Sequence, residues 1–464
     1  MGARLRVCLL IEGSYPFITG GVSAWVDQLI HELSDIDFVL FTISPEADQP
    51  LRYKIPENVT GRMDLVLSKP PHRKKGPGNK RSLLEEIKEI HKSFFLEIPP
   101  GLDELIGRLP EGYYLHRDAI NSIIGWEMIT TQNLKKNPVY PFSDYFWAWK
   151  SAHDMMFTVL GACPPDADLY HAVSTGYAGL AGLAAKIRKG KPFLLTEHGL
   201  YHKEREMEIK RAKFIWGYQR DMWIKTYNNL SRLSYRYADL IISLFEYNRR
   251  KQLELGAPES KTRVIPNGID VARFISVKRT KREGFHVGLV GRVVPIKDIK
   301  TFIACAKIIS TFMQDVDFYC IGPEDEDPGY FEDCKILVNS FRLTESFHFT
   351  GRQDVRRYYA FLDVLLLTSV REAQPLVILE AFCSGVPVVA TRVGNVPELL
   401  DYDERFLASA KDPEKLAQGV KYIHDNPEEI QNLVEKNREK VLTFYNRQEV
   451  YRTYRAIYRK FGAA

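Results

Sequence analysis

The sequence predicts an α/β fold, in which parallel strands and helices alternate along two separate domains. Three observations predict it. Short apolar, β-branched runs recur along the chain: RVCLLI, DFVLFTI, LYHAVST, PFLLTEHG, LIISLF, TRVIPNG, FHVGLVGRV, DFYCIG, FHFTG, DVLLLTS and VPVVAT. Stretches with helical spacing separate many of them, such as VSAWVDQLIHELS and IKTFIACAKIISTFM, and strands alternating with helices build parallel sheets. The length of 464 residues exceeds what one ordinary core supports, and the runs form two sets that meet near residue 275.

Taken in order, the first set defines a Rossmann-like domain over residues 1–275, and the second a similar domain over 276–445. A polar, charged connector, SVKRTKRE (Ser276–Glu283), lies between them and suits a hinge. A long atypical insertion, about residues 45–160, interrupts the first domain. Its segment KPPHRKKGPGNKR (Lys69–Arg81) reads as an exposed basic loop, and its aromatic stretch YPFSDYFWAW as packing. The last helix, about residues 446–464, repeats Tyr and apolar positions at three- and four-residue spacing in RQEVYRTYRAIYRKF. Such a face must pack on something, and the expectation is that it crosses back to complete the first domain.

Composition narrows the function classes. With 45% hydrophobic and 27% charged residues the chain is ordinarily globular. A net charge of +5 is too weak to argue for nucleic acid. The six cysteines (Cys8, Cys163, Cys305, Cys320, Cys334, Cys383) form no CxxC pair, which predicts a reducing compartment and no zinc site. The first residues, MGARLRVCLLIEG, carry an apolar run too short for a secretory leader. No apolar run reaches the length of a membrane span. The expected location is the cytoplasm.

The strongest chemical signal is TSVREAQPLVILEAFCSGVPVVATRVGNVPEL, Thr368–Leu399. A strand ends, Glu372 sits in the loop that follows, and PLVILEAFCSG reads as a short helix carrying Glu380. Pro375 suits its first turn and Gly385 the position past its end. A helix N-terminus at the carboxyl edge of a parallel sheet favours phosphate, and flanking carboxylates accept hydrogen bonds from sugar hydroxyls. In VGLVGRVVPIKDIKTFI, Arg292 ends a strand and Lys297 stands where a helix begins. Cations belong at the other end of a helix unless an anion is present, so the two are placed to balance a diphosphate. At the N-terminus, EGSYPFITGGVSAWV spends Gly20 and Gly21 just before a helix, which makes sense in a tight turn or where a ligand approaches the backbone.

These residues carry a resemblance. The two glutamates before the GVPVV strand, the upstream GR and K, the VIPNGID at Val264–Asp270 and the N-terminal GG resemble retaining glycosyltransferases of the GT-B fold, family 4. That resemblance implies two Rossmann-like domains facing across a cleft. Within the family, EGSYPFITGGVSAW, TEHGLYHKER and REAQPLVILEA look like the PelF type, which serves Pel exopolysaccharide synthesis.

The resemblance implies that Arg292 and Lys297 hold the donor diphosphate, Glu380 the ribose hydroxyls and Glu372 the hydroxyls of the transferred sugar. Backbone N–H groups near Leu376 and Val377 would meet the distal phosphate, and Gly20 and Gly21 would lie close to phosphate and acceptor. His198, in LLTEHG, matches the family histidine that faces the donor sugar; its neighbour Glu197 is a weaker candidate.

One departure stands out. The family's E-G-F-G is replaced here by Glu372-Ala373-Gln374-Pro375. Proline removes an N–H, and Gln374 offers a side-chain amide toward the sugar instead. The implied reaction is transfer of a hexosyl unit from a UDP-sugar to a growing glycan, with retention. No divalent metal or other cofactor is expected: PEDEDPG (Pro323–Gly329) reads as a solvated loop, and Arg292 and Lys297 do the neutralising. Domain closure near residue 275 would assemble the site. Inner-membrane synthase and export proteins are the implied partners. The rival readings are a sugar-nucleotide epimerase of the same fold and a non-catalytic sugar-nucleotide-binding subunit.

Overall fold

The computed structural model describes residues 4–68, 80–94, 99, 101–114, 116–136, 141–212, 215 and 217–463. It divides into two compact units, Met1–Ile265 with Tyr451–Ala464, and Pro266–Val450.

The first unit is organised on seven strands: β1 (Arg6–Glu12), β2 (Asp37–Ser44), β3 (Val59–Val66), β4 (Leu169–Ala172), β5 (Phe193–Glu197), β6 (Leu240–Ser243) and β7 (Thr262–Val264). They form one sheet in the order β3-β2-β1-β4-β5-β6-β7, with every neighbouring pair parallel. Its central strands are buried almost end to end, because helices between successive parallel strands cover both faces. β3 forms no apolar run in the sequence because VTGRMDLV lies at the sheet edge, with Thr60 and Arg62–Asp64 exposed. The segment around residues 45–160 is therefore no appendage. It supplies an edge strand, and Leu83, Ile87, Leu105, Ile106, Tyr145 and Trp149 join the same core as β1 and β4. Trp147, two residues from Trp149, remains 61% exposed. Most of the basic loop of Lys69–Arg81, residues 69–79, lies outside the described residues.

The helix Arg447–Gly462 brings Tyr454 and Tyr458 into the first unit's interior, where both are buried. The Tyr458 hydroxyl hydrogen-bonds His171 Nδ1 at 2.6 Å, and Arg455 Nε donates to Asp35 Oδ1 at 3.0 Å.

In the second unit, β8 (Phe285–Val290), β9 (Val316–Ile321), β10 (Phe347–Phe349), β11 (Val364–Leu367), β12 (Val388–Thr391) and β13 (Leu407–Ala408) form a parallel sheet in the order β10-β9-β8-β11-β12-β13. The boundary between units falls at Ile265/Pro266 rather than at residue 275. The short helix Val271–Ile275 seats Phe274 in the second unit's core, and its Val271 and Phe274 carbonyls accept from Cys383 Sγ and Ser384 Oγ. Nor is Ser276–Glu283 a free linker. Arg279 Nη1 donates to Tyr359 O at 2.5 Å and Thr280 N to Ala360 O at 2.7 Å. The segment is exposed, as its polar composition predicts, and these hydrogen bonds anchor it to the second unit. No helix among the described residues is long and apolar enough to cross a membrane.

Candidate active site

The second unit's strand order reverses between β8 and β11. At such a point the chain leaves the two central strands in opposite directions, opening a crevice at their carboxyl ends where ligands of open α/β sheets bind. Arg292 follows β8, and Thr368, Ser369 and Glu372 follow β11.

Lys297 closes the turn Pro295–Lys297, ahead of the helix Ile299–Ile309. Asp298 caps that helix, accepting from Thr301 Oγ1 at 2.7 Å. Thr368 Oγ1 donates to the carbonyls of Lys297 and Asp298 at 2.8 and 3.0 Å, which fixes the turn against the end of β11. Held there, Lys297 Nζ donates to Glu372 Oε1 at 2.5 Å, and Ser369 Oγ donates to the same oxygen at 2.7 Å. The two side chains are only 20% and 14% exposed. The anion that justifies a cation at a helix start is thus Glu372 itself. Its loop folds tightly over Gly394, where a Cβ would lie 2.4 Å from Glu372 O and 2.3 Å from Ala373 O, and φ is +53°. Only glycine fits.

The helix Leu376–Cys383 follows, with Pro375 immediately before it. Leu376 and Val377 stand in its first turn, where N–H groups have no partner within the helix. Glu380 Oε2 accepts from the Tyr359 hydroxyl at 3.3 Å, and burial raises its carboxyl above the usual range, with Tyr359 and Arg273 opposing that.

Arg292 is half exposed and pairs with both carboxylate oxygens of Glu326 at 2.5 Å. The PEDEDPG loop is accordingly more than a solvated connector. Glu324 accepts from Gly351 N at 2.7 Å, Asp327 caps the helix Pro328–Ser340, and Glu326 holds Arg292. Among the described residues, no group of three or more His, Cys, Asp or Glu is arranged to hold a metal ion.

Gln374 departs from the sequence expectation. Its Oε1 accepts from Asn267 N at 2.9 Å and its Nε2 donates to Asn267 O at 3.1 Å. A primary amide offers one donor and one acceptor side by side, so it pairs with a backbone peptide as a neighbouring strand would. Gln374 ties down the NGID segment, and this pairing engages one N–H and one lone pair of its amide.

The first unit has its own reversal, between β1 and β4. Glu12 ends β1, and its Oε2 accepts from Tyr177 N at 2.7 Å while its Oε1 accepts from the Tyr201 hydroxyl at 2.8 Å. Gly176 allows this, since a Cβ there would sit 2.5 Å from Glu12 Oε2 and 2.2 Å from the Tyr201 ring. Glu197 is spoken for: its carboxylate accepts from Thr175, Tyr201 N, Tyr235 and Gln252. His198 is buried and held neutral, its pKa pushed down to about 3 by burial. Gly20 and Gly21 begin the helix Gly21–Glu32 with nothing within 4 Å of an added Cβ, and Gly20 is extended backbone open to any residue. Neither local conformation nor packing inside this unit asks for glycine.

Sequence reasoning missed Glu12, Ser14, Ser174 and Glu326. Glu12 ends β1, and Ser14 and Ser174 sit just past β1 and β4 at the sheet reversal, a signal that strand order reveals and a linear reading does not. Glu326 was hidden in a run of four acidic residues.

This architecture is that of known glycosyltransferases. Residues 5–260 match the model for a domain of unknown function, DUF3492, and residues 284–426 that of the glycosyl transferases group 1. The chain is 26% identical over 246 residues to the N-acetyl-alpha-D-glucosaminyl L-malate synthase of Bacillus anthracis, covering 50% of this chain and 62% of that one. It is 24% identical over 305 residues to an amylovoran biosynthesis glycosyltransferase of Erwinia amylovora, covering 62% and 69%. The crystal structure of Anabaena HepE in complex with UDP superposes with a TM-score of 0.60 at 14% identity, over 98% of this chain and 99% of that one. The chain belongs to the DUF3492 family; its residues 284–426 match the glycosyl transferases group 1, and its two parallel-sheet α/β units have the GT-B fold.

Proposed function

We propose that this protein is a retaining hexosyltransferase that moves a sugar from a UDP-hexose, such as UDP-glucose, to a growing exopolysaccharide of the Pel kind. The observation that carries the reading is the Lys297–Glu372 pair, 2.5 Å apart and mostly buried at the second sheet's reversal. A cation and a carboxylate at that edge match a ligand with a charged diphosphate on one side and sugar hydroxyls on the other. HepE, of the same fold, was solved with UDP bound.

In this reading Lys297 and Arg292 neutralise the diphosphate, and the N–H groups of Leu376 and Val377 receive its distal phosphate. Glu372 accepts from hydroxyls of the hexose, Glu380 from those of the ribose. The bond from the anomeric carbon to the diphosphate oxygen breaks as the acceptor hydroxyl attacks from the same face, and its proton passes to the departing phosphate. Fixed cations and dipoles stabilise the charge that develops on the leaving group. The reaction needs no divalent metal. A polymer bound for export calls for inner-membrane synthase and export partners, with this protein working at the cytoplasmic face.

Calorimetric titration with UDP, beside a UDP-glucose hydrolysis assay, tests it. Lys297→Ala should lower turnover about 100- to 1,000-fold, the weight of one preorganised charge contact. Turnover should persist in excess chelator. A wild type that fails to bind UDP overturns the donor assignment, and rescue of a chelated enzyme by magnesium overturns the metal-free chemistry.

A further inference from the structure

β3 closes one side of the first unit's sheet, and among the described residues no strand pairs with its outer side. It is eight residues long, contains no proline, and exposes Thr60, Arg62, Met63 and Asp64. Soluble proteins blunt such edges with proline, lysine or very short strands. This edge instead carries one cation and one anion, placed evenly about an exposed methionine. Regular pairing with β2 runs from Gly61 to Val66, and just beyond it Leu67 N donates inward to Ser44 O at 2.9 Å. Alternate residues of a parallel strand turn their peptides toward opposite neighbours. Met63 and Leu65 therefore bond inward, while Arg62, Asp64 and Val66 present their N–H and C=O groups outward. Arg62 and Asp64 share one face, where Arg62 Nη2 lies 3.1 Å from Asp64 Oδ2 with the side chains 35% and 34% exposed. Thr42 Oγ1 donates to Asp64 Oδ1 at 2.6 Å and steadies the carboxylate. Met63, 45% exposed, stands on the other face, two residues from the buried Leu65.

We infer that β3 is the seam of a homodimer, in which a second copy of this chain lays its own β3 antiparallel to this one about a two-fold axis through Met63. Charge complementarity selects the occupant. In that register Arg62 faces Asp64 of the second copy, and Asp64 faces its Arg62. All four are positions whose peptides turn outward, so the hydrogen-bonded pairs of an antiparallel ladder form at the same residues. Met63 meets its counterpart on the axis and extends the apolar face across the seam. Other registers fail. A slip by two residues sets Arg62 against Arg62 or Asp64 against Asp64, and like charges directly opposite are destabilising. A slip by one sets outward peptides against inward ones. The contact is isologous and closes on itself, so it yields a dimer and no fibre. The Arg62–Asp64 pair within one chain is partly exposed and worth about 0–1 kcal/mol, so exchanging it for pairs across the seam costs little. None of this depends on the transferase reading.

Sedimentation equilibrium of the full chain across micromolar concentrations tests it, and a monomer–dimer equilibrium is expected. Arg62→Asp and Asp64→Arg should each raise the dissociation constant roughly tenfold, because two cross-strand attractions become repulsions. Mixing the two variants should restore dimers, since each strand of the mixed pair then faces only opposite charges. Asp64→Arg also removes the Thr42 hydrogen bond, so unfolding midpoints are compared with wild type, and a third variant gives a reading free of that loss. Met63→Cys places a thiol against its own counterpart at a separation suited to a disulfide, and mild oxidation should cross-link two copies where wild type stays uncrosslinked. Monomers throughout the range overturn the proposal and leave the edge to an extended segment of a different protein. A dimer that neither charge variant weakens places the interface elsewhere. Folded variants whose mixture stays monomeric, or a Met63→Cys protein that does not cross-link, overturn the register.

Discussion

The two units share a parallel-sheet architecture, yet they treat ionisable groups in opposite ways. The first sinks them. His153, His171 and His198 are buried, Glu197 is enclosed by four donors, and Tyr454 and Tyr458 close the network from the C-terminal helix. The second keeps a dense apolar interior and carries Lys297, Glu372, Arg292 and Glu326 at its sheet edge, where they pair with each other. The difference teaches that the buried histidines lie in one unit and the paired cations and carboxylates of the candidate site in the other, so that each set can be perturbed without the other.

The largest expected effect tests that separation by pH. Burial pushes His171 and His198 down to about 3 and His153 to about 4. A histidine whose folded pKa lies below its unfolded value of about 6.5 contributes stability that is present at neutral pH and drains away as pH falls from about 6.5 toward the folded value. Each costs about 1.4 kcal/mol per pH unit across that window, so the three together approach about 4. Glu12 and Glu197, raised by burial, take up protons earlier in the folded state and offset part of the loss. Amide hydrogen exchange between pH 7 and pH 4.5 should therefore show the first unit losing protection before the second. Equal loss in both units would break the comparison.

Most of this fold was legible because it rests on local pattern. All eleven apolar runs that mark strands fall on strands of the two sheets, since a buried parallel strand reads as continuous hydrophobicity. What escaped was set by tertiary context. β3 is polar because it is an edge, and β13 is two residues long. The positions of Glu372 and Lys297 were legible because each adjoins a strand end or helix start, and that of Glu380 because it lies within the short helix the proline and glycine delimit. The pairing of Gln374 with Asn267 was not legible because the two lie 107 residues apart.

Gln374 gives the next prediction, of intermediate size, and sharpens what belongs to the second unit's framework and what to its chemistry. Gln374→Ala leaves the Asn267 peptide without its two hydrogen bonds and should destabilise the second unit by about 1–3 kcal/mol, the penalty for unpaired buried polar groups. Donor KM should move little once the protein is folded. Should the variant instead keep its unfolding midpoint while kcat falls, Gln374 would be a sugar contact and its pairing with Asn267 incidental.

Glu326 carries the smallest effect and probes the comparison at its weakest joint, because the Arg292–Glu326 pair is the more exposed of the two at the sheet edge. Exposed ion pairs are worth about 0–1 kcal/mol, little enough for a diphosphate to displace. A nucleotide arriving at Arg292 must nonetheless separate it from Glu326 first. Removing that carboxylate's charge spares the ligand this step, so Glu326→Gln should tighten UDP binding by up to about fivefold, an advantage that fades at high salt. The direction distinguishes two roles for Arg292. If it meets the diphosphate, neutralising its rival helps, and the benefit vanishes in an Arg292→Ala background. If Arg292 serves only to pin the acidic loop in place, Glu326→Gln loosens the loop and leaves UDP affinity flat or weaker, and the cation count at the donor site falls to Lys297 alone.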